Sequence, residues 1–454
     1  MNSMFSVRFG AYISGSSLCI AVMLVSLPAL TGCSGGGSGD GAVAEDTVLP
    51  DDGWDDLPAA EPGSDDWPWW RGPTVNNIAR ADQPAVPLEW SEDKNILWRA
   101  SLDGKGHGTP CIWGDRIFLA DGYKAEKAIT MICLSRLTGK EQWRAELYRG
   151  SLPRIHRDNS YASSMIACDG ERVFLPYQTD EAIRLVAVSV DGKPLWDQEI
   201  AKYSTVQGHS TSPAIYKSAV IVSADCKGDA RLVALHRRTG KVVWRAVRPG
   251  DKESYGSPLV AKVAGRDQLF IIGPDKTRSY DPGSGKFLWV CGGPAEYCAA
   301  TIGFDADKIY STGGHPEKAL LAIRADGKGD VTDTHLDWKS DRKAGYVPSP
   351  LVAGGYVYAV SDKGLMRCYN ADSGKVAWER YLQAAFYSSP VLVGDRIYLF
   401  DRNKGNGFVI KAGGEFKLLA ENKLKKGVFA TPVIVGGRIY LRTLGDLYCI
   451  GSSQ

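Results

Sequence analysis

None of the ten cysteines is adjacent to another and no Cys-x-x-Cys occurs, so zinc-site and thioredoxin-like readings have no support. A Walker loop, a His-Glu-x-x-His and a Gly-x-Ser-x-Gly are also missing, which removes the commonest signatures of nucleotide, zinc-protease and serine-hydrolase chemistry. No run of Lys or Arg resembles a nucleic-acid patch, so nucleic acid is excluded as a partner. Helical periodicity is absent along the whole chain, which points to an all-β fold. Basic residues are missing from 34–70, where ten acids stand alone. The remainder is correspondingly basic. It is either an ordinary solvated surface or a face that meets acidic partners or the chain's own acidic segment.

The first residues read as an export signal. Arg8 is the one early positive charge, an apolar stretch densest from Leu18 to Val25 follows, and Leu30-Thr31-Gly32-Cys33 closes it. A short apolar core before small residues marks a secretory signal, and Ser14 to Ser17 and Pro28 make it a poor membrane span. The expected layout is a signal peptide over 1–32, a disordered acidic tether over 33–66 and a folded part over 67–454. The tether's Gly, Ser, Pro and acids have almost nothing to bury.

What the chain has in excess is glycine (51) and tryptophan (13), and a repeat accounts for both. Gly-Lys-x-x-Trp recurs five times, ending at Trp143, Trp196, Trp244, Trp289 and Trp378, and Trp338 ends a longer variant. Trp98 and Leu418 are assigned the same place in two further strands. Ser/Thr-Pro recurs in step, at Pro110, Pro213, Pro258, Pro350, Pro390 and Pro432, with Ser164 and Thr301 assigned to the units lacking the proline. Each unit reads as four short strands, with tight turns such as Gly354-Gly355 after the first. Four-strand units at 40 to 53 residues are the signature of propeller blades. The last unit has three strands and the first Trp strand, 95–100, has no preceding three. The two predict an eight-bladed β-propeller with N- and C-terminal strands closing one blade. Trp98, Trp143, Trp196, Trp244, Trp289, Trp338 and Trp378 are expected to be structural, filling the gaps between blades. The Gly four residues earlier supplies the turn that aims each ring. Cys133, Cys368 and Cys449 fall at one strand position where other units are assigned Val, Leu or Ile, and read as small buried hydrophobes. Cys291 and Cys298 are left open to pairing.

The Gly-Lys-x-x-Trp run resembles the docking motif of the PQQ-like (quinoprotein-like) propeller repeat, over about Trp67 to Ile450. Trp67-Pro68-Trp69-Trp70-Arg71-Gly72-Pro73 is similar to the opening segment of a large group of such proteins. Leu-Thr-Gly-Cys resembles a bacterial lipobox. That implies lipid on Cys33, and Ser34 implies sorting to the outer membrane, facing the periplasm. A lipobox with eight blades resembles the BamB-like lipoproteins of β-barrel assembly. The implied function is a non-enzymatic, membrane-tethered, monomeric propeller that acts as a protein-binding scaffold, with a β-barrel assembly machine as candidate partner. Quinoprotein dehydrogenases share the repeat. They hold a quinone with Ca²⁺, a base Asp and often a disulfide between adjacent cysteines. No matching ligand pair, base Asp or adjacent cysteines are found here, so a quinone (PQQ)-dependent dehydrogenase is the third and least favoured reading, and no catalytic residue, metal or cofactor is assigned.

One polar cluster stands out. The segments before the Ser/Thr-Pro steps should line the channel mouth and carry His107, His156, Asn159, Tyr161, His209, Tyr255, Tyr346 and Tyr387. Histidine beside aromatics could bind a carbohydrate, a peptide or a metal ion, or these groups could satisfy one another around a narrow channel. Glycan or small-molecule sensing at this mouth is the alternative function.

Overall fold

The computed structural model describes residues 54–202, 207–248, 252–341 and 344–452. Cys33, the signal region and the tether up to 53 lie outside them. Among the described residues there is no helix, and the strands form eight sheets, antiparallel throughout except for the short strand Gly329–Asp330, which pairs parallel. Numbered in chain order, blades 1 to 7 begin at the inner strands Cys111–Trp113, Ala167–Cys168, Ala214–Tyr216, Leu259–Val263, Gly303–Phe304, Leu351–Ala353 and Val391–Val393. Blade 8 begins at Val433–Val435 and takes Ile96–Ser101 as its outer strand, which pairs antiparallel with Asp446–Ile450. The chain ends therefore close the ring, as the strand count predicts, and remove two sheet edges. At Gly354-Gly355 both residues have positive φ (60° and 79°), the conformation a two-residue hairpin turn needs.

Each outer strand carries the same irregularity. Its register breaks at the residue just before the tryptophan, at Gln142 in blade 1 and Leu195 in blade 2. Such a bulge re-aims the next side chain. The indoles of Trp98, Trp143, Trp196, Trp244, Trp338 and Trp378 reach the neighbouring blade. There they donate to the carbonyls of Arg136, Val190, Arg237, Pro282, Ala371 and Gly413 at 2.9–3.2 Å. Trp289 differs. It donates to Gln268 Oε1 of its own blade (2.9 Å) and is covered by the short strand Gly329–Asp330 from the longer fifth unit. Each docked ring contributes burial on the order of 150–250 Å².

Register corrects three sequence assignments. The residue paired with each tryptophan is small: Cys449, Cys133, Ala187, Ala234, Ser279, Ala322 and Cys368, not Val, Leu or Ile. A broad ring leaves no room opposite for a branched side chain. In blade 7 the bulge falls at Leu419, so Ala420 holds the tryptophan place and Leu418 lies two residues earlier, exposed. Trp90 supplies the missing aromatic cover by packing on Tyr398 and Phe400. In blade 2, Met165 rather than Ser164 stands where the other units carry Ser or Thr. All eight described cysteines are free and buried, Cys291 and Cys298 included.

Part of the expected tether is bound to the ring. Trp54 packs in the cluster containing Tyr216 and Val260, Asp55 pairs with Lys217 (2.8 Å), and Asp56 meets His236 (2.7 Å) and Arg238 (3.3 Å). Arg237 donates to the Pro58 carbonyl, Arg136 to the Asp65 carbonyl, and Gly114 N–H to Asp66 Oδ1. The strap thus runs from blade 3 to blade 1, and its acids meet cations of the blades. The composition of 54–66 suggested free chain. The cations that hold it are more than fifty residues away in sequence.

Candidate functional site

The Ser/Thr of each Ser/Thr-Pro step lies where the inner strand begins, around the central channel. These hydroxyls join blade to blade. Met165 N–H donates to Ser212 Oγ (3.0 Å), Ser212 N–H to Ser257 Oγ (2.8 Å), and Thr301 N–H to Ser349 Oγ (2.9 Å). Ser349 N–H donates to Ser389 Oγ (2.9 Å) and Ser389 N–H to Thr431 Oγ1 (3.0 Å). The proline that follows lacks an N–H and needs no partner at this crowded radius.

The segment 67–79 runs against the inner strands and the Ser/Thr-Pro steps of several blades. Trp67 pairs with Ile112 of blade 1, and the Pro68 carbonyl accepts from Cys168 N–H of blade 2. Trp70 Nε1 donates to Thr301 Oγ1 of blade 5 (2.8 Å). Arg71 donates to the Pro350 carbonyl of blade 6 (2.8 Å), and Asn77 and Ala79 flank Leu392 of blade 7. A segment bonded to inner strands on opposite sides of the ring must cross the channel. Arg71 is fully buried and, among the described residues, its side chain donates to oxygens of Val75, Asn76 and Pro350; burial pushes its pKa down to about 9.

The result is a cavity of about 810 Å³ with Trp70 at its floor, within the size range of small-molecule sites. Trp70 also borders a smaller cavity of about 300 Å³ beneath blades 3 and 4. Aromatic rings stand around the wall. His107 stacks on Phe429 (centroids 4.4 Å apart), Tyr387 meets Phe429 edge-on (5.4 Å), and Tyr297 lies 5.8 Å from His315. The Arg402 guanidinium sits 4.1 Å over the Tyr387 ring and 3.6 Å from Asp158. Asp158 belongs to the long connection between blades 1 and 2, so this ion pair ties that loop to blade 7.

Of the residues singled out from sequence, His107, His156, Asn159, Tyr255, Tyr346 and Tyr387 line the cavity. His209 and Tyr161 do not. His209 turns into blade 3, with Nε2 2.9 Å from Thr211 Oγ1 and 3.2 Å from the Ser223 carbonyl. Tyr161 donates to the Pro153 carbonyl (2.9 Å). Burial holds His209 down to about 4, and burial with the nearby Arg442 charge holds His107 down to about 3, so both rings are neutral. Sequence reasoning missed Trp70, Tyr297 and His315. Tyr297 stands four residues before Thr301, a signal that was readable; Trp70 gave none, because its place depends on where the opening segment folds.

The donor set does not fit a quinone with its metal. Among the described residues no three His, Cys, Asp or Glu side chains converge as metal ligands. The cavity's Asp158 is already paired with Arg402, and Glu253 accepts from Tyr255.

The profile of the family described as outer membrane protein assembly factor BamB (PQQ_2) matches residues 78–224, 130–292 and 329–415. The chain belongs to this BamB family. A curated relative, the outer membrane protein assembly factor BamB of Moranella endobia (strain PCIT), is 23% identical over 307 residues. The match spans 65% of this chain and 62% of that relative. Among solved structures, BamB from Moraxella catarrhalis superposes with a TM-score of 0.57 at 14% identity, covering 79% of this chain and 99% of that one. A europium-containing methanol dehydrogenase gives 0.58 at 13% identity, covering 85% and 91%. BamB and a dehydrogenase thus share the ring, and at these identities the likeness is one of fold.

Proposed function

We propose that this protein is a lipid-anchored, non-enzymatic propeller that docks protein partners at the bacterial outer membrane, facing the periplasm, in the manner its family name describes. The observation that carries the reading is the BamB family match over most of the blades. The sequence adds Leu30-Thr31-Gly32-Cys33, which would place lipid on Cys33. A rigid closed ring presents many loops without ordering cost, which suits a docking platform. The ring acts as a monomer, and its partner is a component of β-barrel assembly.

The test is capture from detergent-solubilised membranes of the native host. Tagged full-length protein should recover a β-barrel assembly component and incorporate labelled fatty acid. Cys33→Ser should lose the label. Recovery of no such component, with the protein folded, overturns the scaffold reading.

A second reading is that the central cavity binds a small molecule or glycan. The floor at Trp70 favours it, because a channel closed at one end is a pocket.

A further inference from the structure

We infer that the central cavity is a binding site for an uncharged carbohydrate, inserted end-on toward Trp70; this rests on the second reading above and names its ligand class.

The wall is balanced in charge. Its carboxylates are Asp158 and Glu253, its ammonium groups Lys227 and Lys252. Asp158 is paired with Arg402, Glu253 Oε2 accepts from the Tyr255 hydroxyl at 2.5 Å, and Lys252 lies between Asp275 (3.2 Å) and Glu296 (2.9 Å). With two carboxylates and two ammonium groups the wall has no excess of either sign to draw an ion in, and a charged ligand would give up its hydration against that mixed field.

The deep part of the wall is rich in hydroxyls. Ser212, Ser257, Ser389 and Thr431 border the cavity and each accepts one backbone N–H through its oxygen. That bond leaves the hydroxyl proton of each to donate into the cavity. A purely apolar ligand would strand these donors, whereas a sugar's hydroxyls both accept and donate.

The wall above is aromatic. Tyr346, Tyr387, Tyr297, Tyr255 and Phe429 come from different blades, so rings face the axis from several sides. Sugar rings present flat C–H faces to aromatic faces while their edges hydrogen-bond. Tyr346 stands out because its hydroxyl makes no hydrogen bond to the described residues, and burial pushes its pKa up to about 12, so it remains a neutral donor and acceptor. Hydroxyls below, rings above and no net charge match a neutral saccharide. One closed end dictates that it enters by a chain end.

The experiment uses the full chain and saturation-transfer NMR with calorimetry. The probes are maltotriose, cellotriose and tri-N-acetylchitotriose, with trigalacturonate and an aromatic non-sugar, hydroquinone, as counter-probes. At least one neutral trisaccharide should bind, Tyr346→Ala should weaken it at least tenfold, and Tyr161→Phe should leave it unchanged. Ser389→Ala provides a second, milder variant, and circular dichroism checks that each variant is folded. Binding confined to trigalacturonate or hydroquinone overturns the carbohydrate class while the pocket reading stands. No binding by any probe, or binding insensitive to both Tyr346→Ala and Ser389→Ala, overturns both. Neither result bears on partner capture, which tests the scaffold.

Discussion

Trp98 of blade 8 lies on Gly139 of blade 1: a Cβ placed on that glycine would stand 2.5 Å from the indole. The relationship repeats around the ring, with Trp143 on Gly192, Trp196 on Gly240, Trp244 on Gly285 and Trp338 on Gly374. The glycine of each Gly-Lys-x-x-Trp is therefore both the turn before its own tryptophan and the seat for the preceding blade's. This explains why the motif holds both residues at fixed spacing. Gly139 has φ 70°, so a side chain there is opposed twice, by backbone conformation and by the ring.

Gly139→Ala should lower stability by about 2–4 kcal/mol, combining left-handed strain of about 1 kcal/mol with overpacking of about 1–3 kcal/mol. Gly354→Ala, with φ 60° but nothing within 4 Å, should cost only about 1 kcal/mol. Denaturant melts of the two variants separate strain from docking; equal losses would show that the seat does not matter.

Cys133 faces Trp143 across the strand pair, so its size matters and its thiol does not. Cys133→Ala should change stability by less than about 1.5 kcal/mol, and Cys133→Leu should destabilise by about 1–3 kcal/mol. Burial pushes the thiol up to about 12. A thiol reagent should leave all eight described cysteines unmodified until the protein unfolds.

Arg248 and Asp225 form a fully buried pair, with Nη2 and Oδ2 2.8 Å apart. Asp225→Ala should cost about 3–5 kcal/mol because the guanidinium is left buried without its carboxylate. The double change Asp225→Ala with Arg248→Met should recover a substantial part, read as a shift in the urea midpoint.

His107 and His209 titrate only well below their ordinary 6.5, at about 3 and about 4, chiefly through burial. In the unfolded chain each takes up a proton near pH 6.5, while the folded rings stay neutral. Their contribution is thus intact above pH 6.5 and is lost as pH falls toward 4, by at most about 1.4 kcal/mol per pH unit for each ring. Stability measured from pH 7.5 to 4.5 should fall less steeply in His209→Asn than in the parent, once the variant's offset at pH 7.5 is removed.

Much of the ring was legible because a repeat is a local pattern copied many times: Gly-Lys-x-x-Trp, Ser/Thr-Pro and paired-glycine turns each specify a blade without reference to distant residues. The misassignments came where a single copy departs from the pattern. The repeat spacing assigns Leu418 the tryptophan place, but the bulge at Leu419 puts Ala420 opposite Val409, and only strand pairing shows it. His209 shared its neighbours' sequence position, yet the nearby Thr211 hydroxyl and Ser223 carbonyl turn its ring inward.

By itself the sequence determined the all-β class, the eight blades and the closing of the ring by its two ends, because turn glycines and strand alternation act within a few residues. Tertiary structure alone decided that Trp70 floors the channel, that Asp55 and Asp56 bind blade 3, and which side chains face the cavity. Those outcomes depend on hydrogen bonds and ion pairs between residues more than one hundred and fifty positions apart, and no local pattern encodes such partners.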